Sequence, residues 1–470
     1  MNRYEELKLT AVKVNLNETF GFLQSLTELK KGTIKSEIPT INGLEIEFQK
    51  GERCIKFSTG PILSCEAPVQ YQHSNYGINK PFEIFESENK YSIKNGAGSS
   101  SVNWGQGFSI KGELWELESN FTEGAGFFRA VFPIDGFTKI PVHYFLGEHF
   151  IVGTALRAAG YINVNINEYQ IGFYDYDFEK QRYIFIECKN SIDYSVFEKL
   201  LETIIYSFAF ISGSLIRSEL TILKFGNPDF SNLLGFQFRK VEDSIISSLE
   251  IINPREHKEY ENLSNTIYYP LDLFSKLTKQ CYNNKPLLRA IRIITQAREQ
   301  PVEIEAASIF VALETVKQII IDENIEKISP FVNSSLAATT ISDLKAIISL
   351  IPDHEFNDKG SVLRKLDNLN MVGNNDSFKL AFKLVGFNLT NEDEKCISMR
   401  NRFLHGNIPF ENEPEQRKMK ELLNITLNAH LLTCSLILKY TGYRGVIKNF
   451  LKYWDLVNKV QNDAPLFRKI

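Results

Sequence analysis

Residues 390–409 read TNEDEKCISMRNRFLHGNIP, and this stretch decides how the second half of the chain folds. Thr390 is a helix N-cap with Asp393 three residues on, a box-like arrangement in which side chain and backbone satisfy each other. Asn391 to Leu404 follow as helix, and Gly406 with Pro409 ends it just past His405. Upstream, Pro301 followed by Glu303 and Glu305 starts another helix, with proline early and the acids against the positive end of the dipole. Ile309, Leu313, Val316 and Ile320 then recur at spacings of 4, 3 and 4, a single buried stripe. Downstream, a helix begins near Glu413-Pro414 and runs to about Tyr440, where Gly442 stops it. From about Asp272 onward the chain reads as nearly all helix, and 301–446 as a compact helical bundle.

Roughly the first 190 residues follow a different rule, short alternating runs between turn signals. Leu44–Phe48, Phe82–Phe85, Glu113–Leu117 and Tyr183–Ile186 are such runs. The pairs Asn42-Gly43, Asn95-Gly96 and Asp135-Gly136 punctuate them as hairpin turns do. A two-sheet antiparallel sandwich is the arrangement expected from this pattern. After Asp193 the spacing becomes helical over 194–220, with Phe197, Leu200, Leu201, Ile204 and Ile205 on one side and Gly213 at a disturbed end. The fold class is therefore α+β and multidomain. A β-rich, sandwich-like recognition domain is expected over 1–193, a helical connection over 194–300, the bundle over 301–446 and a basic tail over 447–470.

At 470 residues the chain exceeds one ordinary core, so two or three domains are expected. Hydrophobic residues at 43% and charged residues at 23% fit a globular chain and not a disordered one. A net charge of -4 and a pI of about 6.1 exclude coating of nucleic acid through overall charge, but leave room for a local basic patch. MNRYEELKLTAV at the start carries acids and no apolar run, unlike a signal peptide. The apolar run through Leu431-Leu432 to Leu438 is broken by Thr and Ser and reads as too short for a bilayer. Cys54, Cys65, Cys188, Cys281, Cys396 and Cys434 are scattered without CxxC spacing, which argues against a zinc site or a disulfide scaffold and for a reducing cytoplasm.

Arg400, Asn401 and His405 carry the chemistry. A guanidinium holds a phosphate, and an imidazole moves a proton near neutral pH. Together they suit attack of a ribose 2′-OH on the adjacent phosphodiester without a metal or other cofactor. His405 takes or delivers the proton, Arg400 stabilises charge on the pentacovalent phosphate, and Asn401 holds the imidazole or a phosphate oxygen. Asn401 and His405 are four apart and share a face. Arg400 and His405 are five apart, about 140° of rotation on a regular helix. They converge if the helix unwinds near His405 or if a second copy completes the site. The plainer alternative is a charge complement at a helix C-terminus beside a glycine cap.

Arg400-Asn401-Arg402-Phe403-Leu404-His405 fits the RX4-6H signature of HEPN domains, including the polar residue directly after the Arg. Its place late in a bundle and before a long helix also resembles that superfamily. Ala312-Leu313-Glu314 looks like part of the first long helix of such domains, and Lys439-Tyr440-Thr441-Gly442-Tyr443 resembles HEPN-like proteins of bacterial defence systems. Within the superfamily the layout is similar to the ApeA-like anti-phage family, in which a β-rich half precedes the HEPN domain. The resemblance covers about 145 residues. It implies an all-α HEPN-like bundle and a metal-independent endoribonuclease acting as a homodimer in abortive infection. Arg400, Asn401 and His405 stand at the family's functional positions. A phage-derived trigger at the N-terminal domain would then control the activity. The other expectation is a bundle that serves only dimerisation or binding, with a recognition domain attached.

Other features carry weaker signals. Ile186-Glu187-Cys188-Lys189 with Asp175 and Asp177 resembles half of a PD-(D/E)xK nuclease site, where acids bind Mg²⁺; a solvated strand edge is the plain reading. Lys285, Arg289 and Arg292 fall on one helical face and, with Arg402, are candidate RNA contacts; a solvated helix face is the plain reading there too. Asn95–Ser101 is Gly/Ser-rich but lacks the Gly-Lys-Ser/Thr of a phosphate loop and reads as a flexible loop. His143 and His149, near Glu148 in a strand-turn segment, do not read as a metal site, and Trp104 and Trp115 read as core.

Overall fold

The computed structural model describes residues 3–470 apart from 31–33, 37–44, 51–52, 59–74, 79–81, 87–88, 104–106, 120, 122–123, 137, 217–218, 241–247, 329, 331–332, 371–373, 405–408 and 462. Between 25 and 117 it covers the backbone alone. The chain divides into two compact units, Met1–Ile246 with Pro254–Tyr282, and Ser247–Asn253 with Asn283–Ile470. The first is built on a large β-sheet and the second is mostly helical, an α+β chain.

The first unit holds one 15-stranded sheet among the described residues, not two. From one edge it runs Val12–Val14, Glu148–Val152, Ala155–Ile166, Tyr169–Phe178, Gln181–Cys188 and Phe127–Ile134. It continues through Leu220–Phe225, Leu233–Arg239, Gly107–Ser119, Asn89–Asn103, Phe82–Glu86 and Arg53–Ser58 to Glu45–Lys50. Pairing is antiparallel apart from the parallel edge pair of Val12–Val14 with Glu148–Val152. Alternation assigns the two faces. Val131, Tyr174, Phe185 and Phe236 form a core on one face with Phe20, Phe22 and Leu23 of the helix Asn17–Lys30. Phe128 and Phe173 point the other way and meet Phe197 and Phe208 of the helix Tyr194–Ser212 at ring-centroid distances of 5.2 Å each.

The expected two-sheet sandwich is thus corrected to one sheet with a helix on either face. The helix Asn17–Lys30 lies inside the stretch read as β-rich, and it buries the face that a second sheet would otherwise cover. The segment 194–300, expected as a helical connection, also contributes the strands Leu220–Phe225 and Leu233–Arg239 to the middle of the sheet. Gly213 ends the Tyr194–Ser212 helix at φ 68°, with its N–H donating to the Ala209 carbonyl at 2.8 Å. Asn95–Ser101 is not a loop: it lies in the strand Asn89–Asn103, and the register shifts at Asn95. There Asn95-Gly96 marks a bulge, where an extra residue bends a strand, and not a hairpin turn. Asn42-Gly43, Trp104 and the side chain of Trp115 lie outside the described residues.

In the second unit the helix Val302–Glu323 is central. The helices Lys285–Gln296, Asn374–Leu384, Asn391–Leu404 and Glu415–Thr441 all pack on it. Its stripe Ile309, Leu313, Val316 and Ile320 is buried, each side chain contributing about 1.5–3 kcal/mol relative to exposure. The helix Glu415–Thr441 starts after Pro414 and ends at Gly442, which adopts φ 97°. Its 27 residues are long and apolar enough to cross a membrane by length and composition alone. Of its most apolar window, 72% is buried inside the fold, as in a core helix. The basic segment 447–470 is folded: Val446–Lys448 pairs with Phe467–Lys469 around the helix Phe450–Val457.

Candidate functional site

The motif helix Asn391–Leu404 opens with the capping box its sequence suggests. The Thr390 N–H donates to Asp393 Oδ2 at 2.8 Å, and the Asp393 N–H donates to Thr390 Oγ1 at 3.2 Å. Arg468 then grips the same carboxylate with two bonds of 3.1 and 2.7 Å. Burial alone would raise the Asp393 pKa; the Arg468 pair and the Thr390 bonds outweigh it and hold the carboxyl below its ordinary range.

Asp393, Cys396, Ile397 and Arg400 are the buried residues of this helix. Their spacing is that of an inward stripe, so Arg400 stands where an apolar residue would otherwise pack. It is 1% exposed. Its Nε lies 3.2 Å from Glu314 Oε1 on the central helix. Nε and Nη2 donate to Asn401 Oδ1 at 3.2 and 2.8 Å. The guanidinium carbon is 4.4 Å from the ring centroid of Phe378, on the helix Asn374–Leu384. Nη1 is buried and has no hydrogen-bond partner among the described residues. Three helices thus place polar and aromatic groups around one motif residue.

Lys317, one turn beyond Glu314, reaches the same aromatic ring. It is 7% exposed, and its ammonium lies 4.9 Å from the Phe378 centroid. Burial lowers its pKa and the Arg400 charge lowers it further, while Glu314 and Asp322 act in the opposite sense. Lys317 and Phe378 were not legible as site residues. The available signal was a lysine, one turn after a glutamate, beside the apolar stripe of a helix otherwise destined for the core.

Asn401 and Arg402 are exposed on the other side of the motif helix, and Asn401 turns its carbonyl oxygen back to Arg400. His405 lies outside the described residues. The helix Lys285–Gln296, capped by the Asn284 side chain on the Leu287 N–H at 3.1 Å, carries the other basic candidates. Lys285 and Arg289 are exposed on it, whereas Arg292 is half-buried and burial lowers its pKa. These three stand on a different helix from Arg402.

Glu187 in the first unit is neither a metal ligand nor a solvated strand edge. It is 2% exposed and accepts from Arg129 Nε and Nη2 at 3.0 and 2.8 Å, from Tyr174 at 2.9 Å and from Tyr161 at 3.2 Å. Arg129 also donates to Thr19 Oγ1 and the Asn15 carbonyl, and stacks 4.2 Å from the Phe230 centroid. Asp175 and Asp177 pair instead with Arg182, at 2.7 and 3.6 Å. No group of three or more His, Cys, Asp or Glu side chains among the described residues is placed to hold a metal ion. His143 is pushed down to about 4, first by burial and then by Arg255, Lys139 and Arg182.

Compared with known proteins, the chain matches no family model, no curated protein and no solved structure.

Proposed function

We propose that this chain is a metal-independent endoribonuclease of HEPN type, with the helical unit as its catalytic module and the sheet unit as its control. The chemistry is attack of the 2′-oxygen on the adjacent phosphorus, with the 5′-oxygen leaving and a 2′,3′-cyclic phosphate forming. His405 moves the proton and Arg400 stabilises the phosphorane. Asn401 orients the guanidinium, to which it is already hydrogen-bonded. A homodimer supplies the second approach to the phosphate that the Arg400–His405 spacing calls for. The biological setting is abortive infection against phage in the cytoplasm, with a phage-derived trigger sensed by the first unit. Arg402, Lys285, Arg289 and Arg292 guide the RNA through its phosphates.

The observation that carries this reading is the setting of Arg400. An arginine that only complements a helix C-terminus belongs in water, near the last carbonyls. Arg400 is instead buried, clamped by Glu314 and Asn401, with one nitrogen unpartnered among the described residues. Burying a guanidinium in a bundle core costs several kcal/mol, which a helix-end charge complement would not incur. Induced expression of the native chain and of His405→Ala, with RNA integrity and growth followed together, tests it. The native chain is expected to degrade RNA and arrest growth, and His405→Ala to lose about 10²–10⁴ in cleavage rate. Equal toxicity of the two forms rejects the reading.

A second reading has its own support. The Arg400 charge is already paired within one chain by Glu314. In a non-catalytic dimerisation or binding module this pair would simply fix the helix. Arg400→Lys would then lower the melting temperature or the dimer fraction and leave RNA intact in every form.

A further inference from the structure

We propose that Lys317 and Arg400 together form an oxyanion site for a backbone phosphate. This rests on the ribonuclease reading and adds to it a second cation from the central helix. Two buried cations face one aromatic ring, with Arg400 Cζ at 4.4 Å and Lys317 Nζ at 4.9 Å from the Phe378 centroid. Like charges placed together in a low-dielectric interior repel, and each has also lost its hydration. Glu314 offsets part of this by pairing with Arg400 at Nε. The Nη1 edge remains, buried and without an acceptor among the described residues. An anion with several acceptor oxygens satisfies that edge and relieves the repulsion at once, and a phosphate matches the planar donor fork of a guanidinium. Two neighbours of Arg400 reach solvent: Glu314 is 36% exposed, and Asn401 is on the surface.

Lys317 is flanked by Val316 and Ile320 on a buried stripe, so an apolar chain of the same length tests its charge with little change of volume. RNA binding separates the two roles in Lys317→Met. At an oxyanion site the folded variant binds RNA worse. A structural lysine gives a lower melting temperature and unchanged RNA affinity.

The experiment uses the full chain with His405→Ala as parent, so that RNA is bound and not cut. Fluorescence anisotropy with a labelled single-stranded RNA is read at several salt concentrations. Lys317→Met is expected to weaken binding about tenfold, the effect of roughly one charge-assisted contact. The slope of log affinity against log salt should fall in magnitude by about 0.7. Lys317→Arg should restore most of both. Inorganic phosphate, at ionic strength matched with chloride, should raise the parent melting temperature and leave that of Lys317→Met unmoved. If the native chain cuts no RNA yet phosphate still stabilises it through Lys317, the ribonuclease reading fails and the oxyanion site stands. Unchanged RNA affinity and salt slope in a folded Lys317→Met chain, with the same response to phosphate, overturns the site.

Discussion

At the scale of single residues, the chain keeps several charged or polar groups in its cores, and what they touch separates their roles. Arg129 and Glu187 satisfy one another almost completely, with Tyr161, Tyr174 and Thr19 using the remaining donors and acceptors. Such a network specifies packing and leaves nothing for a ligand. Arg400 is incompletely satisfied among the described residues and is read as a site. His430, on the helix Glu415–Thr441, is a third kind. Its Nδ1 lies 3.3 Å from Cys434 Sγ, while Nε2 is buried without a partner among the described residues. Burial, and then the charge of Arg298, pushes it down from 6.5 to about 3. The unfolded chain binds a proton there below about pH 6.5 and the folded chain does not until about pH 3. Stability is therefore intact above that window and falls as pH drops through it, by at most about 1.4 kcal/mol per pH unit. His430→Leu should be near neutral at about pH 7 and flatten the fall between about pH 6 and about pH 4. Urea midpoints of the helical unit against pH check it, and an unchanged slope in the variant refutes it.

At the scale of elements, the motif helix is fixed at its start by a side-chain lock from the far end of the chain. Asp393 caps the Thr390 N–H and holds Arg468 bidentately, and Arg468 also lies 4.8 Å from the Phe387 centroid. Because the folded Asp393 pKa is depressed, its contribution is present above the ordinary carboxylate pKa, about 3.9. It is lost as pH falls through the lower folded value. Arg468→Ala should cost about 1.5–3 kcal/mol at neutral pH, the range for bonds to a charged group, and much less in acid below the depressed Asp393 value, where the carboxyl is neutral in both states. Chemical denaturation at the two pH values measures it; a cost independent of pH would mean that Arg468 acts through stacking alone.

The same helix shows what sequence could and could not disclose. Thr390, Asp393 and the bounds Asn391–Leu404 follow from local chemistry, and so do the Pro414 start and Gly442 stop of the long helix. The strand Gln181–Cys188 is legible by alternation in the same way. The partners of Arg400 are not, because Glu314 and Phe378 reach it from helices whose packing is a tertiary fact. Nor was the single sheet: alternation says that a strand has two faces and is silent on whether a helix or another sheet covers each.

At the scale of the whole molecule, the chain crosses between its two compact units more often than a linear domain division allows. Pro254–Tyr282 returns to the sheet unit after Ser247–Asn253 has joined the helical one. The short crossing is anchored by the Lys448 N–H on the Ile251 carbonyl at 2.8 Å, and Ile251 and Ile252 are 0% and 6% exposed. Ile251 therefore reports on the helical unit although sequence places it between two parts of the sheet unit. Ile251→Ala leaves a cavity against the Val446–Lys448 segment and should cost about 2–5 kcal/mol. A chain with two units need not unfold in one step, so the loss should fall on one transition. Hydrogen exchange resolved by peptide reads it directly. Faster exchange across Val302–Glu323 and Glu415–Thr441, with Phe127–Ile134 and Gln181–Cys188 unchanged, supports the division. Equal acceleration in both sets would mean that the two units unfold as one, and that the control assigned to the sheet unit must act through shared stability and not through a separable switch.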